Sequence, residues 1–417
     1  MIKITIPSNN TAERKYILDI IFDEFLGLKF DVIENNDCKD WIIEFENKQA
    51  LTIEDTFFSK YPKNLDYLKL ENIPFKIEEL DIFAASFFML TRWEEYVNKN
   101  RDSHKRFPAS ESLAFKQGFL DRPIVNEYVD MLKRMLLELD SNLTFKKREY
   151  RILLTHDVDA PLKYTNLKSG LREIVGDIIK RKNIKLSIKN IIQKIKVTLG
   201  VEKDPFDNFD YIMDVSEKVG VKSYFFFMGK GLTKFDNMYN SGDKFTNDLI
   251  KKIKSRGHHI GIHPTYDAYN NVAQFTKEKQ ELEKNLDTNI TFGREHFLRF
   301  EVPTTWQIWE DHGMSWDSTL SFADKEGFRC GVCYTYSVFN VLTRKKLNLK
   351  EKPLIVMEGS FATYQPNIKP IEMENKIKLL IEEVKKYNGE FVFLWHNSSF
   401  NTAQWKKYQD IYERVLK

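Results

Sequence analysis

The chain has 417 residues, of which 30% are charged, and its formal net charge is only +3. This length exceeds what one hydrophobic core usually covers, so we expect two domains, or one large barrel with an appendage. The balanced charge argues against nucleic acid as a partner. No apolar segment approaches the roughly 20 residues that span a bilayer. Because the first residues also lack the basic and then apolar run of a secretory signal, we expect a cytoplasmic protein.

The first 145 residues alternate strand-like and helical patterns. Strands are predicted at MIKITI and WIIEFE, and DIFAASFFMLTRWEEYVNK (81–99) predicts a helix with a broad apolar face. The pattern therefore predicts an α+β domain over residues 1–145. We expect the apolar face of its helix to pack against the next domain.

From residue 150 onward, short apolar strands alternate with helical patterns. Seven strand patterns occur in this part: RILLTHD, KSYFFFMG, HHIGIHP, ITFGREHFLRF, MSWDSTL, PLIVMEG and EFVFLWHN. Their alternation with helices predicts a parallel β/α barrel over residues 150–417. In such a barrel the chemistry gathers at the carboxyl ends of the strands.

A basic insertion interrupts this alternation at about residues 162–203. Lysine and arginine far outnumber acidic residues there, and Ile and Leu recur at helical spacing. A solvent-exposed helical insertion is the simplest interpretation. The alternative is a basic amphipathic helix that lies on an anionic membrane.

Polar side chains stand where the predicted strands end. Asp157 and Asp159 follow the first strand, and the later strands end near His263, Arg294, His296, Asp317 and His396. Carboxylates held close together raise each other's pKa, and they are normally tolerated where a cation or a proton-transfer role requires them. The pattern therefore predicts a metal site with an adjacent base at the carboxyl edge of the strands. Cys330 and Cys333, by contrast, have the spacing of half a zinc ribbon, and we interpret them as structural thiols.

The motifs THDVD, GHHIGIHP, GREHF, WDSTL and FLWHN occur in the order and approximate spacing of those of the NodB-type polysaccharide deacetylases, the carbohydrate esterase family 4 group. This resemblance covers residues 150–400. DIFAASFFMLTRWEEY, DSHKRF and DSTLSFADKEGFRCG resemble a bacterial branch of that superfamily with an extra N-terminal domain. The resemblance implies a distorted barrel of seven β/α units.

The resemblance also implies a role for each motif position. The implied roles are catalytic base for Asp157, metal ligand for Asp159 and His263, holder of the base for Arg294, orienter of the catalytic histidine for Asp317, and general acid for His396. The ion would activate a water molecule as nucleophile and polarise the amide oxygen of an N-acetyl group. Zn²⁺ is favoured for a site with histidine ligands, while a carboxylate-rich site would favour Fe, Co or Mn.

The third metal ligand is open, because Asp267 stands where the family supplies a second imidazole. His296 lies two residues past the motif arginine, on the same strand face, and is the first choice. Asp267 ranks second. His259 ranks third, because four strand residues separate it from His263 by roughly 13 Å. We interpret His258 as structural.

Further side chains near strand ends or in the motifs are candidates for substrate binding. These are Arg299, Trp316, Glu326, Arg329, Glu358 and Trp395. Aromatic rings can stack on sugars, although buried packing explains them nearly as well. Surface ion pairs are an equally good explanation of the charged residues.

The sequence therefore predicts a metal-dependent deacetylase that hydrolyses the N-acetyl group of an amino sugar. The expected substrate is a nucleotide-linked or lipid-linked precursor of a surface polysaccharide, with possible peripheral contact at the inner face of the membrane. One alternative is a non-sugar amide or ureide hydrolase on the same fold. Another is an inactive carbohydrate-binding or scaffold protein of glycan assembly.

Overall fold

The computed structural model describes residues 2–58, 81–164, 184–231, 233–236, 239 and 241–417, with the backbone alone for 184–187. The described strands, in chain order, are β1 (Ile2–Pro7), β2 (Phe30–Asn35), β3 (Trp41–Glu44), β4 (Ala50–Ile53), β5 (Arg151–Val158), β6 (Tyr224–Phe227), β7 (His259–Ile262), β8 (Phe292–Gly293), β9 (Trp316–Asp317), β10 (Tyr336–Asn340), β11 (Lys345–Glu351), β12 (Val356–Met357) and β13 (Glu390–Leu394).

The described α-helices are α1 (Thr11–Leu18), α2 (Ile82–Leu90), α3 (Trp93–Val97), α4 (Leu113–Lys116), α5 (Ile124–Leu139), α6 (Ile184–Thr198), α7 (Phe209–Lys218), α8 (Lys244–Ser255), α9 (Val272–Leu286), α10 (Thr304–Asp311), α11 (Glu358–Ala362), α12 (Pro370–Lys386) and α13 (Gln409–Leu416). A π-helical segment, Asp19–Leu26, continues α1. Short 3₁₀ turns lie at Ala109–Glu111, His296–Leu298 and Asn397–Ser399.

The N-terminal part contains a small mixed sheet in the order β2-β1-β3-β4. Strand β1 is parallel to β2 and antiparallel to β3, and alternate β1 residues are buried. The strands predicted at MIKITI and WIIEFE are confirmed. The helix predicted over 81–99 is two helices, α2 and α3, because Arg92 between them has a left-handed backbone (φ 53°).

The larger sheet has the order β10-β11-β9-β8-β7-β6-β5-β13-β12. Its neighbouring strands are parallel, apart from the antiparallel pair β10–β11. Each of the seven predicted strand patterns contains a strand of this sheet. The antiparallel β10–β11 hairpin is an addition that the sequence patterns did not predict.

The predicted closed barrel is not confirmed. Among the described strands, β10 and β12 end the order and no pairing joins them. The fold is therefore a mixed α/β architecture with a large, mostly parallel sheet.

Side chains of the two sheets meet in one continuous apolar core, which includes Ile4, Phe22, Leu154 and Phe339. Tyr16, on α1, also donates a hydrogen bond of 2.9 Å from its hydroxyl to the carbonyl oxygen of Ser337 on β10. The division into domains at 1–145 and 150–417 stays a prediction, since this core runs across the proposed boundary.

Parallel pairing brings the carboxyl ends of β5, β7 and β8 to one edge of the large sheet. A Cβ atom at Gly293 would lie 1.9 Å from the carbonyl oxygen of Ile262, so this close approach of β8 to β7 requires glycine. The approach places Arg294, the next residue, beside the ends of the neighbouring strands.

The basic insertion predicted at 162–203 contains α6, while its residues 165–183 lie outside the described part of the chain. Within the described residues, every helix is too short or too polar to cross a bilayer.

Candidate functional site

The carboxyl end of β5 places Asp157 against a buried arginine. Asp157 Oδ1 accepts a hydrogen bond of 2.9 Å from Arg294 Nη1, and both side chains are buried. Arg294 also donates to the Thr155 hydroxyl (2.9 Å) and to the carbonyl and hydroxyl oxygens of Ser318 (2.7 and 3.0 Å). These bonds fix the guanidinium, which compensates the buried charge of Asp157. Arg294 therefore contacts Asp157 as the resemblance implies.

Two imidazoles face the second carboxylate of the motif. Asp159 Oδ1 lies 3.2 Å from His263 Nε2 and 3.6 Å from His296 Nε2. Among the described residues, these three form the one group of His, Cys, Asp or Glu side chains that could hold a metal ion. Their ligand atoms all lie within 4.8 Å of one another. Ligand atoms about 2.1 Å from a tetrahedral ion stand roughly 3.4 Å apart. The distances from Asp159 Oδ1 to the two imidazole nitrogens match this spacing.

The other ring nitrogens of both histidines are held by acceptors. His263 Nδ1 lies 2.7 Å from the Arg294 carbonyl oxygen, and His296 Nδ1 lies 3.2 Å from Asp236 Oδ1. Because a carbonyl oxygen only accepts, Nδ1 of His263 donates to it, and Nε2 is the ring nitrogen that faces Asp159. Asp236 lies in the loop after β6 and outside the motifs, so no sequence pattern pointed to its role.

The carboxylate of Asp159 is ready to bind a cation. Its Oδ1 is buried and accepts no hydrogen bond from the described residues. Burial opposes ionisation, but His263, His296 and His396 outweigh it and hold the pKa of Asp159 well below its usual range. A buried, ionised and unsatisfied oxygen between two imidazole nitrogens fits a divalent ion.

His396 faces the other oxygen of the same carboxylate. Its Nε2 lies 3.8 Å from Asp159 Oδ2, and its Nδ1 lies 2.7 Å from Glu358 Oε1. Glu358 Oε1 also accepts from the His396 backbone N–H (3.1 Å) and from the Ser399 hydroxyl (2.6 Å). Burial lowers the pKa of His396, but Glu358 outweighs it, and the pKa is raised to about 10.

Asp317, predicted to orient the catalytic histidine, bonds to Thr319 in the structure. Its Oδ1 accepts bonds from the backbone N–H (3.1 Å) and hydroxyl (2.5 Å) of Thr319, and burial raises its pKa to about 6. Glu358, a predicted substrate-binding residue, lies beside His396. It directly follows β12, the sheet neighbour of β13, so pairing of these strands brings Glu358 to the histidine.

The structure brings His296, and neither Asp267 nor His259, to Asp159 and His263. Asp267 is exposed and pairs with Arg299 at 2.9 Å. His259 begins β7, at the opposite end of the strand, and stacks on Tyr224 with ring centroids 4.4 Å apart. His258 accepts a backbone bond of 2.9 Å from Ser223, which is a structural contact.

The aromatic candidates for substrate binding serve packing instead. Trp395 is fully buried and contacts Phe400 and Tyr412, so it is inaccessible to a sugar ring. Trp316 is half-buried and stacks on Phe292, with ring centroids 4.7 Å apart and planes within 2°. Apolar packing therefore explains both rings.

The charged candidates for substrate binding are paired with other side chains of the protein. Arg329 is buried and donates two bonds to Glu95 (2.9 and 2.6 Å), while Glu326 pairs with Lys376 at 2.6 Å. Arg299 lies over the Tyr266 ring at 3.8 Å, in addition to its bond with Asp267. Within our substrate-binding set, the side chain of Glu358 contacts His396, and the backbone N–H of Arg299 donates to the His296 carbonyl oxygen at 3.2 Å.

The turn that carries His296 is held by a loop of the N-terminal part. The next two residues, Phe297 and Leu298, have left-handed backbones with φ of 62° and 54°. Arg106 Nη1 donates to the Phe297 carbonyl oxygen at 3.2 Å, and Arg299 Nε donates to the His104 carbonyl oxygen at 3.0 Å. The segment DSHKRF therefore supports the site, a role that its sequence did not reveal.

The two neighbouring cysteines lie outside this site. Cys330 and Cys333 are buried free thiols, and burial raises the pKa of Cys330 to about 12. A protonated, buried thiol is a poor metal ligand or nucleophile. The structural interpretation of both cysteines agrees with this placement.

A family of unknown function, DUF7033, matches residues 2–141. No curated protein matches the sequence.

Among solved structures, a protein from Mycobacterium smegmatis assigned as a polysaccharide deacetylase is 12% identical, with a TM-score of 0.41, over 65% of this chain and 84% of that one. A mutant CE4-family pseudoenzyme with restored enzymatic activity is also 12% identical, with a TM-score of 0.30, over 64% and 62% of the two chains. Similarities this low assign no function, so the chemistry has to be argued from the site itself.

Proposed function

We propose that this chain is a metal-dependent hydrolase that removes an acetyl group from the nitrogen of an amino sugar. One observation carries the proposal: Asp159 faces two imidazoles through one oxygen and His396 through the other. Asp157 lies beside the same centre, with its Oδ2 3.9 Å from His263 Nε2. A metal-binding group flanked by a carboxylate and a histidine is what hydrolysis of an amide requires.

Asp159, His263 and His296 would hold the ion. Zn²⁺ suits two imidazoles and one carboxylate, and Co²⁺, Fe²⁺ or Mn²⁺ would also accept these ligands. When bound, the ion supplies Lewis acidity, which polarises the amide carbonyl and makes water a nucleophile near neutral pH. The Arg294 carbonyl oxygen and Asp236 contact the other ring nitrogens and so orient the two imidazoles.

Asp157 would accept the proton of the attacking water. Its Oδ1 is occupied by Arg294, while its Oδ2 faces His263 and the metal cluster. The Arg294 guanidinium holds this carboxyl group in place, and a carboxylate is the form that acts as a base.

His396 would return a proton to the leaving nitrogen. Its pKa of about 10, raised by Glu358 against the effect of burial, keeps the imidazole protonated at neutral pH. As the carbon–nitrogen bond breaks, a proton from His396 gives a neutral amine, and acetate is the other product. The base would therefore lie beside His263, while the acid faces Oδ2 of Asp159.

The proposal also includes the class of substrate and the curvature of the large sheet. The five motifs resemble those of enzymes that act on N-acetylated sugars, so a nucleotide-linked or lipid-linked precursor is the proposed substrate.

Residues 352–355 join β11 to β12, which stand near opposite ends of the strand order. So short a connection supports a barrel-like curvature of the sheet.

Acetate release tests the proposal directly. The full chain would be stripped with a chelator, reloaded with Zn²⁺, Co²⁺, Fe²⁺ or Mn²⁺, and incubated with nucleotide-linked and lipid-linked N-acetylamino sugars, with ureides as the comparison. We expect acetate and free amine from a sugar only after reloading. Turnover of ureides alone would favour the alternative hydrolase. A protein that binds no stoichiometric metal and releases no acetate would be an inactive carbohydrate-binding or scaffold protein.

A further inference from the structure

Helix α6 presents an apolar stripe to solvent. Ile188, Ile191, Ile192 and Ile195 are 52%, 37%, 49% and 53% exposed, and Leu199, directly after the helix, is 71% exposed. Spacings of three and four residues place these side chains on one face of the helix. An ordinary surface helix would bury such a stripe against the core.

The opposite face of α6, which is polar, contacts the protein. Asn190 is buried, and its side-chain oxygen accepts a bond of 3.2 Å from Lys163 Nζ. The Tyr164 hydroxyl lies 3.3 Å from the Asn190 carbonyl oxygen and 3.2 Å from Gln193 Oε1. The helix is therefore anchored by hydrogen bonds, with its apolar side turned away from the described part of the chain.

The charge of α6 indicates what its apolar side contacts. The helix sequence IKLSIKNIIQKIKVT has four lysines and no acidic residue, in a chain with 61 acidic residues. Lys189 and Lys196 project on one flank of the stripe and Lys194 on the other, at 100° per residue. Lys196 also pairs with Glu202 at 2.6 Å. An apolar stripe between basic flanks matches the interface of a bilayer with anionic headgroups.

We propose that α6 docks the protein onto an anionic lipid bilayer, with the isoleucine stripe in the boundary of the acyl chains and the lysines among the headgroups. A protein partner would also cover apolar surface. The absence of acids from the helix and the lysines on both flanks favour the lipid surface.

The segments that anchor α6 are connected to the candidate site by hydrogen bonds. The insertion leaves from the end of β5, and the backbone N–H groups of Lys163 and Tyr164 donate to the Asp204 carboxylate at 2.8 and 2.9 Å. Asn208 then donates to the carbonyl oxygen of Asn397, the residue after His396, at 2.9 Å. Docking would hold the metal centre close to a membrane-anchored substrate. This consequence rests on the proposed function, whereas the docking itself does not.

Vesicle flotation tests the docking with the full chain. Vesicles of phosphatidylcholine with phosphatidylglycerol would be compared with vesicles of phosphatidylcholine alone. We expect binding to the anionic vesicles, weakened at high salt, and at least a tenfold loss of binding in the double variant Ile191→Glu with Ile195→Glu. Lys189→Glu with Lys194→Glu should also weaken binding. These residues are at the surface or its edge, and circular dichroism would verify that the variants fold.

Ile371→Glu with Leu379→Glu on α12 is the matched control, since these side chains are 59% and 67% exposed and lie outside the stripe. The control should bind like the unchanged protein. The proposal is overturned by an absence of vesicle binding or by binding that survives the stripe variant. It is also overturned if sedimentation shows self-association that the stripe variant abolishes, because a second copy would then cover the helix. Acetate release from a water-soluble sugar nucleotide is measured separately, so either proposal can fail alone.

Discussion

The side chains that meet around Asp159 come from two kinds of backbone. His263 follows β7, where its N–H bonds to the Phe227 carbonyl oxygen at 2.8 Å and so extends the strand ladder. His296 lies on a 3₁₀ turn, followed by two left-handed residues and held by Arg106 from the N-terminal part. We call His263 the strand-borne half of the site, because the sheet alone positions it. We call His296 the turn-borne half, because its position depends on a distant loop. The two halves should therefore respond differently to substitution.

Loss of the strand-borne imidazole should have the largest effect. We expect His263→Ala to lower metal affinity by about 100-fold or more and to abolish acetate release, because it removes one of three ligands. Metal content after dialysis and titration calorimetry measure the affinity. His259→Ala, on the same strand but outside the cluster, should leave both properties unchanged. Stoichiometric metal in His263→Ala would contradict the assigned shell.

Asp157→Asn should separate catalysis from metal binding. The amide keeps the size of the side chain but accepts a proton poorly, so we expect turnover to fall by about 10²- to 10⁴-fold. Metal content should stay the same, since Asp157 lies outside the three-ligand shell. Asp267→Asn is the matched control, with activity retained. An Asp157→Asn protein with full activity would exclude this residue as the base.

Glu358→Gln should change the pH dependence on the His396 side of the site. Glu358 raises the pKa of His396 to about 10, against the effect of burial, and removal of its charge should lower that pKa. Because the general acid has to be protonated, the rate falls as pH rises through this pKa. The alkaline limb of kcat/KM should therefore move to lower pH in Glu358→Gln. If the alkaline limb of kcat/KM stays at the same pH in Glu358→Gln, that limb reports the titration of a group other than His396.

The comparison also shows what the sequence could predict. The sequence could place four residues of the site, because each stands at the end of an apolar strand or just after it, and parallel strands end at one edge of a sheet. These residues are Asp157, Asp159, His263 and His396. The partner of His396 could not be assigned from the sequence. Glu358 reaches it through the pairing of β12 with β13, which lie more than 30 residues apart in the chain.

The incorrect substrate-binding predictions share a physical cause. Trp395 and Arg329 stand near strand ends or turns, as binding residues do, but the sequence does not show which elements cover them. Trp395 is covered by Phe400 and Tyr412, and Arg329 by Glu95 of the N-terminal part. Burial set by distant segments is therefore the information that strand patterns lack.

Arg106→Ala should give the smallest of these effects and is the most direct test of the turn-borne half. The substitution removes the donor to the Phe297 carbonyl oxygen, so the turn of His296 should become less well ordered. We expect metal affinity to fall by about tenfold, as for other supports of metal ligands, with kcat restored by excess metal. Lys105→Ala, an exposed neighbour, should behave like the unchanged protein. If Arg106→Ala lowers the Tm but leaves metal affinity unchanged, the loop stabilises the fold without positioning His296.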